Sequence, residues 1–148
     1  MAPTFDELQI LLPDSSIVLG VVAPGRDAAI RQAGDLLVAA GAVDIDYVDQ
    51  MLERERVVST FVGDGIAMPH GTLTAKNDVK AEGLCLLVLD KPIDWAGQHV
   101  SLVIGIAAHG RRYITLLSQL AAALLDDGRA DALRRAKTPA EARKLLSS

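Results

Sequence analysis

Apolar positions along this chain recur in two rhythms, and the alternation between them predicts its elements. Ile17 to Val22 is a short β-branched run that ends at the turn residues Pro24 and Gly25, and it predicts a first strand. Asp27 then stands where a helix cap is expected, with Ile30, Ala33, Leu37 and Ala40 at helical spacing behind it and Gly41 placed to stop the helix. A second helix is predicted after Asp44, with Val48, Met51 and Leu52 on its buried stripe and Arg54 off that stripe near the helix end. Ser59 to Val62 and Gly65 to Met68 read as short extended pieces, and Thr74 to Asp78 as a polar loop. Gly83 to Leu89 and His99 to Ala107 are nearly continuous apolar runs, the mark of strands covered on both faces, and Lys91 to Gly97 is expected to connect them. From Arg112 to Leu125, residues Tyr113, Leu117, Leu120 and Leu124 form a helical stripe. Asp127-Gly128 breaks the chain before a short helix ending near Ala136. Thr138-Pro139-Ala140-Glu141 has capping-box spacing, with proline at the first position of a terminal helix that reaches about Leu146. Strands interleaved with helices predict an α/β fold with a mixed β-sheet flanked by helices on both faces. Residues 1–148 contain no internal repeat, low-complexity tract or linker, and a single domain is expected.

Composition narrows the function classes. Half of the 148 residues are hydrophobic, enough for one sizeable core. The formal net charge of −4 argues against nucleic acid as a partner, because phosphates would be repelled over most of the surface. Cys85 is the only cysteine, so no intrachain disulfide can form, and its setting between leucines predicts a small buried hydrophobe. The N-terminus lacks a basic region followed by an apolar one, and no apolar run approaches the roughly 20 residues that span a bilayer. A cytoplasmic protein without direct membrane insertion is therefore expected. HExxH, paired CxxC, GxxxxGK[ST] and GxSxG are all absent from the sequence, which speaks against a zinc site, a P-loop and a serine-hydrolase elbow. No metal or cofactor is expected.

Chemistry concentrates in Ser59 to Thr72, where Gly63, Gly65 and Gly71 punctuate an apolar segment and Pro69 stiffens the approach to His70. An imidazole held this way can be a general base, a metal ligand, a phosphoryl acceptor or a polar core residue. Among its neighbours Asp64 reads as a turn residue, Trp95 as an anchor of its loop against the core, and His99 as an exposed polar residue at a strand start.

Thr60-Phe-Val-Gly-Asp-Gly-Ile-Ala-Met-Pro-His-Gly-Thr72 resembles the active-site motif of the mannitol/fructose-type enzyme IIA proteins of the sugar phosphotransferase system. The resemblance runs from the strand at Ile17 through Met51-Leu-Glu-Arg-Glu55 and Leu102-Val-Ile-Gly-Ile-Ala-Ala108 to the terminal helices. Thr72, the Ala75 to Val79 loop and the Leu102 to Ala108 run favour the mannitol branch. It implies that His70 accepts a phosphoryl group from the phosphohistidine of HPr and passes it to a cysteine of a sugar-specific IIB domain, with Arg54 stabilising the phosphoryl oxygens. A shallow apolar collar around His70, formed by residues such as Met68, is expected to receive both partners. The alternative within the same family is a nitrogen-type regulatory protein whose phosphorylation state is read by a bound target. One departure stands out: Tyr113 occupies the place of the family's second active-site histidine, and His109 lies four residues earlier. His109 or the Tyr113 hydroxyl is the expected replacement, as a partner to His70 or its phosphate.

Overall fold

The computed structural model describes residues 3–72, 79–126 and 128–147. Helix α1 (Phe5–Leu11) opens on a reciprocal cap in which Thr4 Oγ1 accepts from the Glu7 N–H at 3.1 Å and the Glu7 carboxylate accepts from the Thr4 N–H at 3.4 Å. Strand β1 (Ile17–Val21) is followed by α2 (Arg26–Ala39) and α3 (Asp46–Val57), then by the short strands β2 (Phe61–Gly63) and β3 (Ile66–Ala67). A long hairpin of β4 (Gly83–Trp95) and β5 (Gln98–Ala107) leads to α4 (Gly110–Leu124), α5 (Arg129–Arg134) and α6 (Pro139–Leu146).

The five strands form one mixed sheet in the order β1-β4-β5-β3-β2, with β1 parallel to β4, β3 parallel to β5, and the other two pairings antiparallel. Alternation along β4 divides the core. Cys85, Leu87 and Leu89 face a cluster with Ile30, Ala33 and Leu37 of α2 and Met51 and Leu52 of α3. Leu84, Leu86 and Val88 face the other side, where Leu8 of α1, Leu116, Leu120 and Leu124 of α4, Leu133 of α5 and Leu146 of α6 pack. Both apolar clusters share this sheet, so the α/β architecture expected from the patterning is present, with helices on each face.

Several local expectations shift. Asp27 does not cap α2; Gly25 holds the cap position, and Asp27 lies in the first turn paired with Arg26 at 3.2 Å, where its charge suits the helix dipole. Lys91 to Trp95 is not a connection but the second half of β4. A register shift between Val88 and Ile93 accommodates Pro92, and the turn is only Ala96-Gly97, at φ 53° and 89°, the left-handed pair a two-residue hairpin requires. The alternation of buried Ile93, exposed Asp94 and buried Trp95 was the available strand signal. Helix α4 starts at Gly110, two residues earlier than predicted, and buries Leu116, Leu120, Ala123 and Leu124, which leaves Tyr113 and Leu117 half-buried at the edge of the stripe. At α6 Thr138 Oγ1 accepts from the Glu141 N–H at 3.1 Å, but Glu141 reaches back to the Lys137 N–H rather than to that of Thr138. The predicted loop at Thr74 to Asp78, most of the Ala75 to Val79 loop that favoured the mannitol branch, and Asp127 of the predicted break lie outside the described residues.

Candidate active site

Gly63, Asp64 and Gly65 all have positive φ, and the turn they make reverses the chain from β2 into β3. Asp64 is exposed there and its carbonyl oxygen accepts a short hydrogen bond from Arg134, in keeping with a turn role. Beyond β3 the chain stays beside β5: Ile106 N–H donates to the Pro69 carbonyl at 3.0 Å and His70 bridges in parallel to Ile106. His70 thereby lies past the carboxyl end of β3 and beside the carboxyl end of its parallel neighbour β5, the usual end of an α/β sheet for a site.

The peptide after His70 is locked by a side chain from α3. Tyr47 Oη accepts from the Gly71 N–H and donates to the Ile106 carbonyl, both at 2.8 Å. Burial pushes the Tyr47 hydroxyl up to about 12, so it stays protonated and keeps both bonds. A Cβ at residue 71 would run into the Tyr47 ring, which is why glycine follows the histidine.

A second lock fixes the end of α3. Glu55 is buried, and its carboxylate accepts from Thr60 Oγ1 at 2.5 Å, the Thr60 N–H at 2.7 Å and Trp95 Nε1 at 3.0 Å. One acidic side chain thus ties the end of α3 to the entry of β2 and to the tip of the β4–β5 hairpin. Trp95 is fully buried at that junction, as its reading as an anchor anticipated. Neither Tyr47 nor Glu55 was singled out from the sequence. Both continue the Val48, Met51, Leu52 stripe, and a carboxylate on an apolar stripe was the signal available.

Within this frame His70 is 4% exposed. Its Nδ1 lies 3.0 Å from the Met68 carbonyl oxygen, which can only accept, so Nδ1 carries the proton and Nε2 keeps its lone pair. Nε2 is buried and has no hydrogen-bond partner among the described residues. Burial holds the imidazole below its usual value of 6.5; the Met68 carbonyl opposes this, the charge of Arg54 reinforces it and the Glu55 carboxylate opposes it again. A neutral, unpaired, nucleophilic nitrogen at pH 7 is the result.

Arg54, half-buried at the end of α3, is near enough to act on His70 electrostatically, and its Nη1 donates to the Val58 carbonyl at 2.7 Å. Tyr113 is closer: its ring centroid lies 4.2 Å from that of His70, tilted by 35°. His109 is exposed at the N-cap of α4, its side chain caps nothing, and no hydrogen bond or ring contact joins it to His70. Arg112, in the first turn of α4, is engaged with Glu82 at 3.1 Å and Glu7 at 3.8 Å. Met68 forms no collar. It is fully buried beside Ile66 and Leu102, because the residues leading into His70 pack against the core. The large apolar side chains exposed nearest in sequence to Arg54 and Tyr113 are Val57 and Ile114, at 75% and 53%.

Elsewhere the readings separate cleanly. Cys85 is buried, its thiol donates to the Ala33 carbonyl at 3.2 Å, and burial pushes it up to about 12, as a core residue should behave. His99 is exposed on β5. Among the described residues no three histidine, cysteine, aspartate or glutamate side chains gather as metal ligands, and no helix is long and apolar enough to cross a membrane.

Comparison with known proteins supplies the context. Residues 10–148 match the family described as phosphoenolpyruvate-dependent sugar phosphotransferase system, EIIA 2. The mannitol-specific phosphotransferase enzyme IIA component of Halalkalibacterium halodurans is 45% identical over 113 residues, which cover 76% of this chain and 78% of that protein. Its counterpart from Staphylococcus aureus strain MRSA252 is 39% identical over 136 residues, covering 92% and 94%. Among solved structures, the complex of enzyme IIAMTL with phosphorylated enzyme IIBMTL from Escherichia coli contains a chain that superposes with a TM-score of 0.84 at 34% identity, covering 89% of this chain and 94% of that one.

Proposed function

The chain belongs to the EIIA 2 family of the phosphoenolpyruvate-dependent sugar phosphotransferase system, and on that premise we propose that His70 is the residue that takes up and passes on the phosphoryl group. The protein is a phosphoryl carrier, a phosphotransferase component that works between HPr and a IIB domain. The observation that carries the assignment of His70 is its orphan Nε2, beside an Nδ1 whose proton is held by the Met68 carbonyl.

The transfer balances without a cofactor. The Nε2 lone pair of neutral His70 forms the new N–P bond while the donor's P–N bond breaks, its electron pair remaining on the donor nitrogen. A donor ring protonated on its other nitrogen leaves as neutral imidazole, and His70, which keeps its Nδ1 proton, becomes a phosphoimidazolium. The Met68 carbonyl stabilises that positive ring, so the lock that aims the nucleophile also suits its product. Passage to IIB reverses these roles with a thiolate as acceptor.

Little covalent work is left for the protein, and positioning with charge compensation must supply the catalysis. Arg54 is the proposed compensating cation, its planar guanidinium suited to phosphoryl oxygens. A unit charge pair at about 4 Å and an effective dielectric near 20 is worth roughly 4 kcal/mol, reduced here by solvent because Arg54 is only half-buried. Tyr113 and His109 share the N-terminal turn of α4, which carries no acidic residue to repel a phosphate.

Mannitol is the proposed sugar, in a single cytoplasmic EIIA domain spanning residues 1–148, since the relatives from Halalkalibacterium halodurans and Staphylococcus aureus, 45% and 39% identical, are mannitol-specific. Phosphoenolpyruvate, enzyme I and HPr should label His70, and addition of a mannitol-type IIB domain should discharge the label onto IIB. Labelling elsewhere would remove His70 from the role; stable label in the presence of IIB would favour the regulatory alternative over transport.

A further inference from the structure

The acceptor nitrogen is closed. His70 Nε2 is buried without a partner, whereas an incoming phosphorus must come to about 3–3.5 Å along the nitrogen lone pair before a bond can form. Some group at the site must move before transfer.

Most candidates are tied down. The imidazole is held through Nδ1 to the Met68 carbonyl, its backbone lies in a bridge to Ile106, and the next peptide is locked by Tyr47. Tyr113, packed against the imidazole, has no such tie. Its ring makes the one aromatic contact among the described residues, against His70, and is half-buried. Its hydroxyl makes no hydrogen bond among the described residues, and α4 begins only three residues earlier at an N-cap whose side chain caps nothing. A rotation of the Tyr113 side chain breaks ring contact and no polar bond.

We infer that Tyr113 is a gate on the phosphoryl-accepting nitrogen: closed against the imidazole at rest, and displaced when the phosphoryl group enters. It is a positioning residue that acts through His70. This inference rests on His70 as the acceptor but goes beyond it, since it assigns Tyr113 a steric role through its ring, distinct from the hydrogen-bonding role expected of its hydroxyl. Closure keeps small reactants and water from the nitrogen, whereas a docked protein partner has contact energy with which to favour the open state. If the open state is populated at about 10% or less, the resting nitrogen reacts about tenfold or more slowly than an ungated one.

The test uses a small electrophile, so that it does not depend on HPr or on the relay. The protein is treated with diethyl pyrocarbonate at a pH where imidazoles are neutral, and modification of His70, His99 and His109 is followed separately by peptide mass spectrometry. In the wild-type chain His70 should react slowly and the exposed His99 and His109 rapidly. Y113A should speed His70 by about tenfold or more with His99 and His109 unchanged, and Y113F, which keeps the ring, should stay as slow as wild type. A His70 that reacts as fast as His109 in the wild-type chain, or at an unaltered rate in Y113A, overturns the gate; so does a Y113F rate equal to that of Y113A, which would put the effect in the hydroxyl. Should Y113A fail to fold, wild-type NMR decides. Ring-current shifts on the His70 ring protons that vanish on phosphorylation support the gate, and shifts that persist refute it. Failure of the gate leaves His70 as acceptor untouched, because that assignment stands or falls with the labelling by HPr.

Discussion

The two flanks of His70 are built in opposite ways. On the α3 flank each lock is closed: Glu55 satisfies three donors from Thr60 and Trp95, Tyr47 bonds two backbone groups, and the Met68 carbonyl holds Nδ1. The α4 flank offers Tyr113 without a hydrogen bond, an N-cap histidine that caps nothing, and exposed Ile114. A carrier that must meet two protein partners in turn needs both kinds of wall. The rigid flank fixes the lone pair, and the other leaves room for what approaches it.

The largest effect is expected at the cation on the rigid flank. Arg54→Ala should slow transfer from phospho-HPr by about 10²–10³-fold, the usual cost of removing one oxyanion-stabilising donor, with a melting temperature close to wild type. A rate within a few-fold of wild type would show that Arg54 only caps its helix through the Val58 carbonyl. Glu55→Gln comes next. An amide cannot accept from all three donors, so a loss of about 1.5–3 kcal/mol in denaturant-derived stability is expected, with less effect on transfer per folded molecule. Tyr47→Phe leaves the buried Gly71 N–H unpaired and should cost about 1–3 kcal/mol, together with slower transfer because the peptide after His70 loses its lock.

Acidity sharpens the same contrast. Burial and Arg54 keep the folded His70 below 6.5, so below that pH the unfolded chain takes up a proton that the folded chain refuses. This group's contribution to stability is therefore full above about 6.5 and declines as the pH falls toward the folded value. An NMR titration of His70 should show the depressed midpoint, and Arg54→Ala should raise it. The smallest effect belongs to the loose flank: His109→Ala should change stability by no more than about 0.5 kcal/mol, with transfer near wild type, since its exposed side chain bonds nothing described. A large loss of transfer in that variant would return His109 to the site.

How much of this was legible in the sequence follows from what each residue depends on. His70 and Arg54 lie in local motifs, and the strand and helix rhythms gave the layered sheet. Glu55 and Tyr47 escaped because their partners lie 5 to 59 residues away, and local spacing carries no record of pairing across the sheet. Met68 was misplaced because an extended segment entering a site reads as surface, yet its side chain falls on the same face as Ile66, inside the core. His109 and Tyr113 could not be separated by spacing alone. The start of α4 decides their placement, putting the histidine at an exposed cap and the tyrosine one turn on, against the imidazole.

The central claim is that Nε2 of His70, freed by the hydrogen bond at Nδ1, is the atom that carries the phosphoryl group. Nitrogen-15 NMR of the histidine rings in protein phosphorylated by phosphoenolpyruvate, enzyme I and HPr tests it directly. Phosphorus coupling is expected at Nε2 of His70 with the proton retained on Nδ1; coupling at Nδ1, or at a nitrogen of His99 or His109, would rule Nε2 out as the carrier.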